Sequence, residues 1–175
     1  MRILIVPLSI LAIGVAAMAS AQGNERVAAY KDWSVFNPSD PKECYIVSQP
    51  VQTTAERGGQ TVSVNRGEIR LFVTIRPDAG VNQEVSYTGG YPFRDGSTVD
   101  VSIGSDQHVM NVGAGESDQW AWPATPERDS ALVAAMRRGT NAEVTAVSSR
   151  GTTTRDTFSL LGFTAALEEA ARLCN

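Results

Sequence analysis

His108 is the only histidine in the chain, which narrows the chemistry it can do. Metal sites built on two or three histidines are excluded, and neither an HExxH motif nor a Cys/His cluster is present. A serine–histidine–acid triad needs only one histidine. No GxSxG elbow accompanies this one, however, and the alternating run Gln107–Asn111 marks it as a solvent-facing strand residue. Paired carboxylates are the other route to hydrolysis, and they must stand roughly 5–10 Å apart. Glu168-Glu169 reads more simply as the solvated face of a helix. Asp100, Asp106 and Glu116 lack the spacing of a calcium loop. Arg57-Gly58-Gly59 and Gly89-Gly90 fall outside any phosphate-cradling glycine motif. The expectation is a protein that is not an enzyme and holds neither metal nor cofactor. The alternative is a hydrolase using His108 with a serine, or a carboxylate pair.

Residues suited to binding are easier to find. Ser148–Asp156 is the densest polar stretch and joins two expected strands, so Ser149, Arg150, Thr152, Arg155 and Asp156 form a candidate recognition loop. Turn chemistry accounts for the same residues, with Gly151 at positive φ and Asp156 paired to a neighbouring arginine. Tyr91, Trp120 and Trp122 are a candidate aromatic platform for a glycan or peptide. Burial of the two tryptophans at a strand end is the competing reading.

Met1–Ala21 is an address. Arg2 precedes an apolar stretch from Ile3 to Met18, and Ala19-Ser20-Ala21 supplies the small residues that signal peptidase accommodates. The stretch is short for a membrane span and is interrupted by Pro7 and Gly14. Cleavage after Ala21 leaves residues 22–175 as a single domain with no transmembrane segment. The expected location is outside the cytoplasm: the periplasm first, the outer-membrane surface or secretion next. In such a compartment the two cysteines, Cys44 and Cys174, should form one disulfide.

The elements that must position these residues are mostly strands. Apolar residues make up 42% of the chain and charged ones 19%, enough apolar material for a core and against disorder. The net charge of −4 argues against nucleic acid as a partner. Period-two alternation is clearest in Ile69–Arg76, where Ile69, Leu71, Val73 and Ile75 share a face. Further runs are Glu84–Thr88, Thr98–Ile103, Gln107–Val112, Ala142–Ser148 and Thr154–Leu160, with shorter ones at Trp33/Val35 and Cys44/Ile46. Strands this short and this numerous point to a sandwich or barrel. Two helices interrupt them. Thr125-Pro126-Glu127 opens the first and Arg137-Arg138-Gly139 closes it. The second runs from Phe163 to Leu173, with Phe163, Ala166, Leu167, Ala170 and Cys174 on one face. The disulfide would staple that helix to an early strand.

These residues together resemble the invasion-associated locus B family of exported bacterial proteins, from about Trp33 to Cys174. The resemblance is carried by Trp33-x-Val35, Cys44-Tyr45-Ile46, Leu71-x-Val73-x-x-Arg76-Pro77, Gly90-Tyr91-Pro92-Phe93 and Trp120-Ala121-Trp122. It continues through Ser149-Arg150-Gly151-Thr152, Asp156–Leu160 and Gly162-Phe163-x-Ala165-Ala166 to Cys174. It implies a mainly β, immunoglobulin-like β-sandwich at the cell envelope with no known enzymatic activity, in a family linked in some pathogens to host-cell invasion. The partner it leaves open is an envelope protein or glycan. Gln107–Asn111 departs from the family pattern in being more polar.

Overall fold

The computed structural model describes residues 26–38 and 42–174; the expected leader, Met1–Ala21, lies outside them. The strands are β1 (Arg26–Tyr30), β2 (Trp33–Phe36), β3 (Cys44–Ser48), β4 (Gln52–Arg57), β5 (Gln60–Thr61) and β6 (Arg70–Arg76). They continue with β7 (Val81–Thr88), β8 (Thr98–Ile103), β9 (Asp106–Val112), β10 (Trp120–Trp122), β11 (Asn141–Val147) and β12 (Thr153–Ser159). Helix α1 (Pro126–Arg138) precedes β11, and α2 (Phe163–Cys174) follows β12. All strands pair antiparallel in the order β1-β2-β3-β6-β7-β10-β9-β8-β11-β12-β4-β5. The sheet folds over itself in a sandwich-like arrangement, so that Tyr87 of β7 meets Phe158 of β12 edge to face at 6.2 Å.

The alternation in β6 explains its orientation. Leu71, Val73 and Ile75 are buried, while Arg70, Phe72 and Arg76 are half-buried on the other face. Each fully buried aliphatic side chain contributes about 1.5–3 kcal/mol. That is enough to fix the register, because a one-residue slip would turn all three outward. Pro77–Ala79 forms a single 3-10 turn, and Gly80 ends it in the left-handed region at φ 68°.

Both helices follow from their ends and faces. The Thr125 side chain accepts from the Arg128 N–H at the start of α1, with Pro126 at the first helical position. In α2, Phe163, Ala166, Leu167, Ala170 and Cys174 are buried. The alanines are small enough to let this helix lie close against β2 and β3. Trp33 packs edge to face on Phe163 at 5.0 Å, and its indole N–H donates to the Ser159 carbonyl at 3.0 Å. Cys44, at the start of β3, is bonded to Cys174 at the end of α2, with Cα atoms 5.9 Å apart. The expected disulfide and stapled helix are both present.

Candidate functional site

The expected recognition loop forms one wall of a recess. After β11 the chain turns back through Ser148–Thr152, with the Gly151 N–H donating to the Ser148 carbonyl and the Ser148 N–H to the Thr152 carbonyl. Gly151 sits at φ 79°, the positive value the turn requires. The Ser149 N–H donates to the Pro92 carbonyl, which ties the turn to the segment bearing Tyr91. The opposite wall comes from β4 and the segment after β5: Arg57, Asn65 and Arg66. The cavity between them has a volume of about 420 Å³.

A buried ion pair supports its floor. Arg66 donates from Nη1 and Nη2 to the two Asp156 carboxylate oxygens at 2.7 and 2.6 Å. The Tyr87 hydroxyl donates to Asp156 Oδ2 at 2.5 Å. Asp156 is fully buried and the Arg66 side chain is 7% exposed. This corrects the expectation of a local pair: the partner of Asp156 comes from a segment 90 residues earlier. Arg155 and Arg150 are nearer in sequence, but Asp156 points inward from β12 while Arg155 points out. Burial pulls the Arg66 pKa down, yet bonding and attraction to Asp156 outweigh it and leave the pKa raised. Burial, followed by the Asp156 charge, pushes the Tyr87 phenol well above its ordinary value. Arg66 also donates from Nε to the Gly89 carbonyl. There the two loops touch at backbone distance: a Cβ on Gly90 would stand 2.6 Å from the Gly67 carbonyl oxygen.

Arg57, Thr152 and Tyr91 are anchored one by one. Arg57 donates from Nε and Nη2 to Thr152 Oγ1 at 2.9 and 2.6 Å, and the Thr152 N–H donates to Ser148 Oγ. Tyr91 shares a hydrogen bond of 2.6 Å with Thr154, packs edge to face on Phe93, and carries the Arg66 guanidinium 4.9 Å above its ring centre. Of the expected loop, Ser149, Arg150 and Thr152 line the recess, and Asp156 lies beneath it. Arg155 faces away, paired with Glu143 at 3.6 Å.

The expected aromatic platform divides. Tyr91 belongs to the recess. Trp120 and Trp122 stack on each other at 6.3 Å on the outer face of the sheet. Trp120 continues there through Phe72 and Tyr45 to Phe36, with neighbouring ring centres 5.0–6.0 Å apart. All five rings of that row are half-buried.

His108 stands apart from both features. It lies on β9 beside Gln107, Val109, Pro123, Arg128 and Leu132 in a cavity of about 200 Å³ whose lining includes no serine or carboxylate. It is half-buried, not solvent-facing as expected, and its Nε2 has no hydrogen-bond partner among the described residues. Burial lowers its pKa. Among the described residues no three of His, Cys, Asp and Glu cluster as a metal site would need. None of the described helices is long and apolar enough to cross a membrane.

Sequence reasoning missed Arg66 and Tyr87, and it weighed Arg57 only as part of the Arg57-Gly58-Gly59 stretch. A polar loop arginine carries no mark of its partner, and Tyr87 reads as one more apolar strand position. The fold and site thus define a mainly β, disulfide-closed protein with a recess beside the Ser148–Thr152 turn that is lined by arginines and hydroxyls. The chain belongs to the invasion associated locus B family, whose model matches residues 33–171. It is similar in fold to the crystal structure of invasion associated protein B from Bartonella henselae, with a TM-score of 0.57 at 17% identity. That match covers 83% of this chain and 96% of the other. No match is found among curated protein sequences.

Proposed function

We propose that this chain is an exported, non-catalytic protein of the bacterial cell envelope that works by binding an envelope component. The observation that carries this reading is the composition of the recess. It offers hydrogen-bond donors on Arg57 and Thr152, which hold each other in place, and on the exposed Arg150, with no nucleophile set against a base among the lining residues. Sites built that way recognise a ligand without transforming it. The leader-like Met1–Ala21 supports export, with the periplasm as the favoured location. Family membership supports an envelope role, and the invasion link belongs to named relatives.

Affinity capture from envelope preparations under mild crosslinking tests the reading. A partner enriched with the wild-type chain and lost on mutation of the recess is expected. A hydrolytic activity that collapses in His108→Ala while the fold is retained would overturn it.

A second reading rests on the outer aromatic row. Half-buried tryptophans on an open sheet face offer rigid contact area to a glycan. Tryptophan fluorescence titrated with peptidoglycan fragments measures this directly, and an unchanged spectrum at saturating fragment removes it.

A further inference from the structure

We propose that the recess between Arg57 and Arg150 is a site for a phosphate-bearing ligand; this rests on the binding reading and names its chemistry. The chain as a whole is acidic, at −4, yet the recess is lined by Arg57, Arg66 and Arg150 and by no aspartate or glutamate. The charge of Arg66 is matched by Asp156 beneath it. Arg57 and Arg150, like Arg26, Arg94 and Arg128, have no carboxylate partner among the described residues, whereas Arg66, Arg70, Arg76, Arg137, Arg138, Arg155 and Arg172 all do. A third uncompensated guanidinium stands close by: Arg94 Nη2 lies 3.1 Å from where a Cβ on Gly151 would sit, between Arg150 and Thr152 in sequence. Like charges gathered without counter-ions raise the local positive potential and favour an anion there.

Two of the donors, Arg57 and Thr152, are also held in place. Arg57 is fixed on Thr152 Oγ1 through Nε and Nη2, which leaves Nη1 unused. Thr152 is 3% exposed, and its hydroxyl, while accepting from Arg57, keeps its own proton for another acceptor. Guanidinium groups and a hydroxyl donor suit the several oxygens of a phosphate. A phosphomonoester carries about −1.5 to −2 at neutral pH. One such group would neutralise Arg57 and Arg150 together, which a single carboxylate would not. The volume of about 420 Å³ exceeds what a phosphate alone fills. The body of the ligand would then rest on Tyr91 and Pro92. A soluble phosphoryl compound and a phospholipid headgroup share this chemistry.

The test uses the disulfide-bonded chain, isotopically labelled, titrated with inorganic phosphate against chloride at equal ionic strength. Saturable shifts of the Ser149–Thr152 amides and the Arg57 Nε–H are expected. Arg57→Gln with Arg150→Gln should weaken binding by about tenfold or more. Both side chains are exposed, so the variant should fold, and near-ultraviolet circular dichroism verifies this. Shifts that fail to saturate, or that persist unchanged in the variant, overturn the proposal. Vesicles of phosphatidylcholine with and without phosphatidic acid form the second arm. Sedimentation only with phosphatidic acid, abolished in the variant, identifies a headgroup. Phosphate shifts without sedimentation identify a soluble ligand. Envelope capture separates this proposal from the broader one: a partner captured by the wild type and lost on mutation of the recess, with phosphate shifts that fail to saturate, leaves envelope binding intact and removes the phosphate site.

Discussion

Arg66 and Asp156, 90 residues apart in sequence, meet through two parallel hydrogen bonds of 2.7 and 2.6 Å in the interior of the protein. Tyr87 closes the group from β7 with a third bond to the same carboxylate. The segment after β5, strand β7 and strand β12 therefore converge on one buried charge. The recess stands on that junction.

Removing one member of this pair leaves the other buried and unmatched, which generally costs about 3–5 kcal/mol. Arg66→Met should fall in that range in urea denaturation. Tyr87→Phe, which removes one bond to the carboxylate and keeps the ring, should cost less, about 1.5–3 kcal/mol. An Arg66→Met chain as stable as wild type would mean that the pair does not hold the loop.

The disulfide gives a second expectation. Cys44 and Cys174 are separated by 130 residues, and loss of a native disulfide of this kind costs about 2–5 kcal/mol. Cys174→Ser and Cys44→Ser should lower the melting temperature equally, and the double variant should be no worse than either. Reductant should bring the wild type down to the same value and leave the variants unchanged.

Asp129 makes stability depend on pH. Its Oδ1 accepts from the Val85 N–H at 2.7 Å, and burial raises its pKa to about 6. The folded state thus holds this proton more tightly than the unfolded chain does. Stability on this account is greatest below the ordinary carboxylate range, near pH 4, and is lost as pH rises through about 6. Asp129→Asn keeps an acceptor for Val85 without the charge. It should flatten that part of the profile and gain about 1 kcal/mol at neutral pH, measured as urea midpoints across the range.

His108 acts in the opposite sense. Burial lowers its pKa, so the unfolded chain takes up a proton first. Stability is lost as pH falls through about 6.5, the unfolded value. His108→Leu removes both the titration and the unsatisfied Nε2. Its stability should equal or exceed that of the wild type, most clearly near pH 5.5. A large loss at neutral pH would show that the imidazole makes an essential contact.

The parts of this fold legible in the sequence are those where burial alternates. Leu71, Val73 and Ile75 announce β6 because their partners on the other face are polar or aromatic. Phe163 through Cys174 announce α2 by helical spacing. β4 escaped because only Ala55 in it is buried, which leaves no pattern to read. The three residues of β10 are too few to show a period. The loop Ser149–Thr152 was visible as a polar turn, and its glycine conformation followed. Its partner wall was not, because Arg57 and Arg66 look like any of the other arginines until the sheet folds over and brings β4 beside β12.

The bond between Cys44 and Cys174 also changes what cutting or pulling on the chain can do. A single protease clip between those residues, for instance at the exposed Arg57-Gly58-Gly59 turn, yields two pieces that stay joined through sulfur. Such a nicked molecule would migrate as one species until reduced. Tension applied to the chain outside the two cysteines passes through the bond and bypasses the strands between them. Those strands, and the arginine-lined recess they build, are mechanically sheltered.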